Sequence, residues 1–139
     1  MGKKILLLLS IIGIAGFSVK AQKTALVKKE NKPYSYELDI TVKGLKDTSL
    51  YLVNYYGDRN YGVDSGKVDK NGRVVFKGDS LATGVFMIYC PGKLLFDIMV
   101  EDRFMTIKTD TINPIKNQTN SGSLGQKVFN DYQKYSQEL

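Results

Sequence analysis

The clearest pattern in the chain is an alternation of apolar and polar residues with a period of two. In residues 36–43, Tyr, Leu, Ile and Val alternate with Glu, Asp, Thr and Lys. Because successive side chains of a strand point to opposite faces, this segment is predicted to be a strand with one face on a core. Comparable runs predict six further strands, at residues 49–55, 63–68, 73–77, 85–90, 94–100 and 104–109.

Seven strands joined by short connections, with no long helix between them, predict an antiparallel meander. We therefore expect an all-β fold over residues 34–110, either an antiparallel β-sandwich or a partly open barrel. Residues 49–55 carry apolar or aromatic side chains on both faces, which predicts a strand that is covered on both sides or lies under a loop. The polar residues 57–62 are predicted to form a loop.

The strongest turn signal is Asn71-Gly72, which lies between two of the predicted strands. A type I′ turn needs positive φ at both central residues, and Asn-Gly tolerates this at little steric cost. The sequence therefore predicts a β-hairpin whose arms are residues 63–68 and 73–77.

The C-terminal part of the chain has helical periodicity. After a polar loop at residues 111–122, a helix is predicted over residues 123–138, with Ser123 as its N-cap and Gln126 completing a capping box. One face of this helix is apolar, and such a stripe has to be buried against the sheet or against a further domain. The residues of this candidate interdomain face are Leu124, Val128, Tyr132 and Tyr135.

The first 21 residues have the features of a secretory signal peptide. Two early lysines precede an apolar run of about 13 residues, and small residues stand before a cleavage site after Ala21. A membrane anchor is the weaker interpretation, because spanning a bilayer takes about 20 apolar residues. We expect a periplasmic or secreted protein that meets the membrane only during export. Residues 22–33 are polar and rich in Lys, which predicts a flexible N-terminal arm.

The charge of the chain does not indicate a nucleic-acid partner. The sequence has 20 basic and 14 acidic residues and a net charge of +6. Three lysines and no acid lie in residues 1–21, so signal-peptide cleavage leaves a net charge of only +3. Since the remaining lysines are scattered, we interpret them as part of a solvated surface.

The residue types needed for common active sites are missing from the sequence. It has no His, which excludes Ser-His-Asp and Cys-His catalytic centres, and its single Cys excludes a CxxC redox motif. No spacing typical of a metal site occurs. Cys90 lies in an apolar run and is predicted to be a buried small side chain. We therefore expect no cofactor, no metal and no catalysis by these residues.

Two groups of residues remain as candidate contacts for a ligand or partner. Asp64 and Ser65 form a polar pair in a strand context, although Asp in such a position also binds nearby backbone N–H groups. The tyrosines Tyr51, Tyr55 and Tyr61 are able to line a groove for a sugar or a peptide, although Tyr is equally common on half-buried strands. A stand-alone periplasmic glycan- or peptide-binding β-sandwich is accordingly one functional hypothesis.

The segment 63–78 resembles the core motif DS-x-x-V-x-x-x-G-x-F-x-F-x-G of a domain of unknown function. That domain precedes thioredoxin-like domains of the AhpC/TSA and TlpA type in exported proteins of Gram-negative bacteria. Val74 stands where the motif has an aromatic residue. A Gly-Leu step at Gly44 and a small-polar segment before the helix agree with the resemblance, which spans about residues 36–135. The matching motif residues are Asp64, Ser65, Val68, Gly72, Phe76 and Gly78.

This resemblance implies an accessory β-module of a thiol–disulfide oxidoreductase. In such proteins the redox cysteines belong to the thioredoxin-like domain, and no residue of this chain matches them. The implied role is substrate presentation, orientation or dimerisation, with a downstream thioredoxin-like domain or a second copy of the chain as the partner.

Overall fold

The computed structural model describes residues 34–139, so the predicted signal peptide and N-terminal arm lie outside the described residues. The elements follow one another as eight strands and one helix: β1 (Tyr36–Lys43), β2 (Ser49–Tyr56), β3 (Arg59–Lys67), β4 (Arg73–Gly78), β5 (Gly84–Cys90), β6 (Leu94–Val100), β7 (Phe104–Asp110), β8 (Thr119–Ser121) and α1 (Leu124–Glu138).

The strands form two four-stranded sheets that enclose one core. The β1 sheet has the order β4-β1-β7-β8, and the β2 sheet has the order β3-β2-β5-β6. The alternation predicted for the first strand is confirmed, because its four apolar residues are all buried. The largest side chains of the core are Phe76, Phe86, Phe96, Leu38, Ile40, Leu50, Leu52, Ile88, Ile98 and Ile107. This arrangement confirms the predicted β-sandwich, which is open and not a closed barrel.

The predicted hairpin around Asn71 and Gly72 is wrong. β3 pairs with β2, and β4 pairs with β1, so the two arms lie in different sheets. The reversal is a four-residue turn in which Gly72 N–H donates to the carbonyl oxygen of Asp69 at 3.0 Å. Within this turn only Gly72 has positive φ. The Asp69 carboxylate accepts hydrogen bonds from the backbone N–H groups of Asn71 and Arg73. The turn therefore starts at Asp69, one residue earlier than a two-residue turn centred on Asn71-Gly72 would.

Gly66 of β3 and Val74 of β4 pack closely against each other from the two facing sheets. A Cβ atom at Gly66 would collide with the Val74 side chain. β4 therefore contacts β3 through its inward side chains, across the space between the two sheets. Arg73, the first residue of β4, instead pairs with Thr41 of β1 and forms a bidentate ion pair with Asp39 at 2.9 Å. The turn therefore connects two sheets as an arch.

The predicted antiparallel meander is also wrong, because three pairs join strands that are not consecutive in the sequence: β1–β4, β2–β5 and β1–β7. β1 and β7 run parallel over the whole of β1 from Glu37 to Lys43. A parallel pair needs a long crossover, which is most often a helix. Here the chain between β1 and β7 contains all four strands of the β2 sheet and also β4, and the sequence pattern gives no sign of this.

Two segments predicted to be loops contain strands. β3 begins at Arg59, directly after a two-residue turn at Gly57-Asp58, and Gly57 has the positive φ (60°) that a type II′ turn needs at its first central residue. Residues 59–62 are exposed on an edge strand and therefore lack apolar alternation. β8 lies inside the predicted loop 111–122 and pairs with β7.

Three local predictions have clear outcomes. Cys90 is completely buried, with its Sγ 3.4 Å from the Thr48 hydroxyl, as predicted. The outer face of β2 is not covered, because Tyr51 and Tyr55 are about 40% exposed. Ser123 caps α1 by accepting from the Gln126 backbone N–H at 3.1 Å, but the Gln126 side chain does not complete the capping box.

Candidate functional site: the outward face of the C-terminal helix

Helix α1 lies along the open edge of the sandwich, where it contacts β6 of one sheet and β8 of the other. The chain reaches this edge through Gly122, whose φ of 87° belongs to the left-handed region. A Cβ there would lie 2.6 Å from the carbonyl oxygen of Phe104. Glycine at this position therefore allows the chain to turn tightly from β8 into the helix.

The side of α1 that faces the sandwich is polar. Gln126 is completely buried, and its Oε1 accepts a hydrogen bond from the backbone N–H of Met99 at 2.5 Å. Its Nε2 donates to Gln118 Oε1, also at 2.5 Å. Gln133 Nε2 donates to the carbonyl oxygen of Asp97 at 3.2 Å, and Asn130 Nδ2 donates to that of Ile115 at 3.0 Å.

Gln126 and Gln133 satisfy backbone groups on the free edge of β6, and Asn130 satisfies a carbonyl of the segment before β8. An edge strand presents backbone N–H and C=O groups that have no ladder partner, and buried groups of this kind need hydrogen bonds. A carboxamide carries both a donor and an acceptor, so one residue type serves both kinds of backbone group. The open edge of the sandwich thus selects glutamine and asparagine for the inner side of α1.

The apolar side of α1 consequently faces away from the sandwich. All four residues of the predicted interdomain face are more than half exposed: Leu124 (74%), Val128 (59%), Tyr132 (65%) and Tyr135 (61%). The sequence left two burial partners open, the sheet and a further domain. The structure shows that the sheet does not bury these side chains. Contiguous exposed apolar surface of this kind is typical of interaction sites.

A groove of about 1030 Å³ runs between this helix face and the end of β6. Its apolar walls are formed by Met99 and Val100 of β6 and by Leu124, Val128, Phe129 and Tyr132 of α1. The helix face and the groove therefore form one surface, which we call the α1 surface.

Two carboxylates, Glu101 and Asp102, stand at one end of the groove. The Glu101 side chain lies against the first turn of α1, where a Cβ at Gly125 would collide with its carboxylate. A negative charge is favourable beside a helix N-terminus because of the helix dipole. The α1 surface thus combines apolar walls with an acidic rim.

The five residues predicted as a ligand or partner surface are not brought together. Tyr51, Tyr55 and Ser65 lie on the outer face of the β2 sheet, since Tyr51 pairs with Ser65 and with Tyr89. Tyr61 pairs with Asn54 on the opposite face of the same sheet, where its ring meets Tyr56 edge-on at 6.2 Å between centroids.

Asp64 also lies on the inner face, opposite Leu52. Its Oδ1 accepts from the backbone N–H of Ser65 at 2.7 Å, which is the local bonding considered from the sequence. Burial raises the pKa of the Tyr36 phenol, and the nearby Asp64 carboxylate raises it further. Asp64 therefore sits between the two sheets and beside a buried tyrosine of β1.

Tyr55 is bound to Asp97 across the outer face of the β2 sheet. Its hydroxyl donates to Asp97 Oδ1 at 2.7 Å. Partial burial and this hydrogen bond raise the pKa of Tyr55 from 10.0 to about 12. The bond holds the carboxylate in place and leaves it less available for a basic ligand.

Sequence reasoning missed most of the outer face of the β2 sheet. β5 and β6 add Val85, Met87, Tyr89, Leu95 and Met99 to it, and Leu95 is 55% exposed. The signal was present, since residues 85–89 are apolar at every position and not only at alternate ones. A continuous apolar run indicates a strand with two apolar faces.

A cluster of side chains suited to a metal ion is not assembled in the described part of the chain. Among residues 34–139, no group of three or more His, Cys, Asp or Glu side chains is placed to hold a metal ion. Within the same residues, no helix is long and apolar enough to cross a membrane.

The model of one protein family matches residues 36–129, from the start of β1 into α1. The chain belongs to the DUF4369 family. This family is described as a domain of unknown function. No curated protein matches the sequence.

The residues of the motif in segment 63–78 have structural roles in this fold. Val68 and Phe76 are buried on either side of the arch. At Gly72 a Cβ would collide with the carbonyl oxygen of Val42, and at Gly78 it would lie 3.0 Å from the Tyr36 ring. The motif thus specifies the crossing between the sheets, and the candidate functional surface lies elsewhere, on α1.

Proposed function

We propose that this chain is a non-catalytic, exported accessory module that docks a thioredoxin-like thiol–disulfide oxidoreductase domain through the α1 surface. The observation that carries the proposal is the orientation of α1, which buries Gln126 and Asn130 and exposes Leu124, Val128 and Tyr132. A helix on a protein surface is normally stabilised by burying its apolar side and exposing its polar side. The exposed apolar side of α1 is therefore best explained by a partner that covers it.

The buried amides support docking because they hold the helix in one position. Gln126 is tied to both a β6 backbone N–H and the Gln118 side chain, and Gln133 is tied to a second β6 group. A partner that meets a preorganised helix face loses little entropy in ordering it. The α1 surface is therefore suited to orient a second folded domain.

The acidic rim indicates what the partner has to present. Glu101 and Asp102 line the end of the groove, so a complementary surface combines apolar side chains with Lys or Arg at the corresponding edge. The thioredoxin-like identity of the partner is supported by the motif resemblance of residues 63–78. The export of the module is supported by the signal-peptide pattern of residues 1–21.

The glycan- or peptide-binding alternative has less support from the geometry. It relied on Tyr51, Tyr55, Tyr61, Asp64 and Ser65, and these residues are divided between the two faces of the β2 sheet. We therefore favour docking through α1.

The proposal is tested by titrating the exported protein with a TlpA-type thioredoxin-like domain from the same organism in a calorimeter. We expect saturable binding, and we expect Val128→Ala and Tyr132→Ala together to weaken it at least tenfold, or about 1.4 kcal/mol. Both substitutions keep the helix, because Ala is the best helix former.

The matched control is Leu95→Ala, which removes an equally exposed apolar side chain from the outer face of the β2 sheet. Binding of this variant should equal that of the wild type. The proposal fails if no heat of binding is seen at about 100 μM of both proteins. It also fails if the α1 variant binds as tightly as the wild type.

A further inference from the structure

The outer face of the β2 sheet is a second apolar surface, which adjoins the α1 surface at Met99. Cross-strand rows on this face join Tyr51 to Tyr89 and Leu95, and Val53 to Met87 and Asp97. The rings of Tyr51 and Tyr89 lie 6.4 Å apart and are tilted by 44°. We call this surface the sheet face; its residues are Tyr51, Val53, Tyr55, Val85, Met87, Tyr89, Leu95, Asp97 and Met99, with Asn60, Gly62 and Ser65 at its β3 edge.

The sheet face is almost free of charge. Asp97 is the single charged residue among those named, and its carboxylate accepts a hydrogen bond from Tyr55. Lys67, which pairs with Ser49, lies on the same side of the sheet beyond Ser65, at the periphery of the sheet face. The β3 edge adds Asn60, Gly62 and Ser65, which are neutral. A strongly charged partner therefore finds little counter-charge here, whereas a neutral apolar surface is complementary.

The whole described domain is also electrically neutral. Residues 34–139 contain thirteen Lys and Arg residues and thirteen Asp and Glu residues, so the net positive charge of the chain lies in residues 1–33. Two copies of this domain thus approach each other without long-range repulsion, and a net charge near zero promotes self-association.

We infer that the sheet face binds a second copy of this chain in a two-fold symmetric dimer. Such an interface is formed by the same patch of both subunits, so a charged residue in the patch lies close to the same residue of the other subunit. A charge without an opposite partner in its own subunit is therefore unfavourable there. The sheet face carries one such charge midway along β6, Asp97, whose carboxylate is solvated by the Tyr55 hydroxyl but not neutralised by it. The α1 surface is less suited, since self-pairing would bring together two copies of the acidic Glu101 and Asp102 rim.

The size of the face sets the expected affinity. Four strands about 4.8 Å apart and seven residues long, at about 3.3 Å per residue, give a patch of roughly 440 Å². A standard interface buries about 800 Å² on each partner. The dimer is therefore expected to be weak, with a dissociation constant on the order of 10 μM, and to form by face-to-face packing of the two β2 sheets.

Sedimentation velocity of the exported protein between about 1 and 300 μM tests this inference. We expect a reversible monomer–dimer equilibrium that Leu95→Lys weakens at least tenfold. Leu95 is 55% exposed and has no part in the core, so the substitution leaves the fold intact. Circular dichroism and thermal melting of the variant verify this.

Val128→Lys is the matched control, because Val128 is equally exposed but lies on α1. Its dimer constant should equal that of the wild type. A monomer throughout the concentration range overturns the inference, and so does a dimer that survives Leu95→Lys or dissociates with Val128→Lys. If the chain stays monomeric and Leu95→Lys abolishes binding of the thioredoxin-like domain, the sheet face belongs to that partner instead.

The two proposals fail separately. Loss of self-association leaves the calorimetric binding through α1 unaffected, and loss of that binding leaves the sedimentation result unaffected.

Discussion

Gln126 closes the edge of the β2 sheet, since its side-chain oxygen lies 2.5 Å from the backbone nitrogen of Met99. The same side chain donates to Gln118, so one buried carboxamide joins α1, β6 and the segment before β8. This contact decides which side of α1 faces water, and thereby creates the α1 surface.

Gln126→Leu is expected to destabilise the protein by about 2 kcal/mol, because it leaves the Met99 N–H and the Gln118 oxygen buried without partners. Urea denaturation followed by circular dichroism measures the change. Val128→Ala serves as the control and should alter stability by no more than about 0.5 kcal/mol, since Val128 is exposed. A Gln126→Leu protein as stable as the wild type would contradict the role assigned to the amide.

Gly72→Ala is expected to be strongly destabilising, by about 3 kcal/mol. The backbone there has a φ of 78°, and an added Cβ would collide with the carbonyl oxygen of Val42. Gly62→Ala is the matched control, because a Cβ at Gly62 has no neighbour within 4 Å. Thermal melting of the two variants should separate them clearly, and equal melting temperatures would contradict the crossing geometry.

The stability of the protein should fall in acid, in part through Asp110. Backbone N–H groups of Asn113 and Ile112 and the Asn117 amide donate to this carboxylate and lower its pKa below 3.8. The unfolded chain therefore takes up the proton at a higher pH than the folded one. The stabilisation is complete above pH 3.8 and is lost as the pH falls through the lower folded value.

Asp110→Ala tests this linkage. The variant should melt at a lower temperature than the wild type at pH 7, and the difference should shrink as the pH is lowered below about 4. A difference that stays constant down to pH 2 would show that the carboxylate charge is not responsible.

Tyr55 should titrate as an unusually weak acid. Its pKa of about 12 follows from partial burial and from the bond to Asp97. Because the folded pKa is raised, the stabilisation is complete below pH 10 and is lost as the pH rises towards 12. We expect the pH titration of tyrosinate absorbance to differ between the wild type and Tyr55→Phe by one transition with its midpoint near pH 12. Asp97→Ala should move this transition down towards pH 10, and an unshifted transition would contradict the pairing.

Local pattern was sufficient for most of the secondary structure. The alternation in Tyr36–Lys43 predicts a strand because half-burial in a pleated sheet requires a period of two. The prediction that Cys90 is buried also needed only its apolar neighbours. Residues 59–62, the first part of β3, gave no such signal, because they are exposed on an edge strand and show no apolar alternation.

Turn chemistry predicted where the chain reverses but not what the reversal connects. Asn71 and Gly72 do lie at a tight turn, yet the Asp69 carboxylate shifts its register, and β4 pairs with β1 instead of β3. Strand pairing depends on contacts distant in sequence, such as the pairing of Arg73 with Thr41, which no window of local sequence contains.

The amino-acid sequence determined the class of the fold, the positions of seven of the eight strands and the amphipathic character of the last helix, because these follow from local periodicity. It did not determine which side of that helix is buried. The buried side depends on the free edge of β6. Leaving the backbone groups of that edge buried without hydrogen bonds costs more free energy than exposing the apolar stripe of α1, so Gln126 faces the sandwich and bonds to them. Such an edge exists only once two distant segments have packed into the same sandwich.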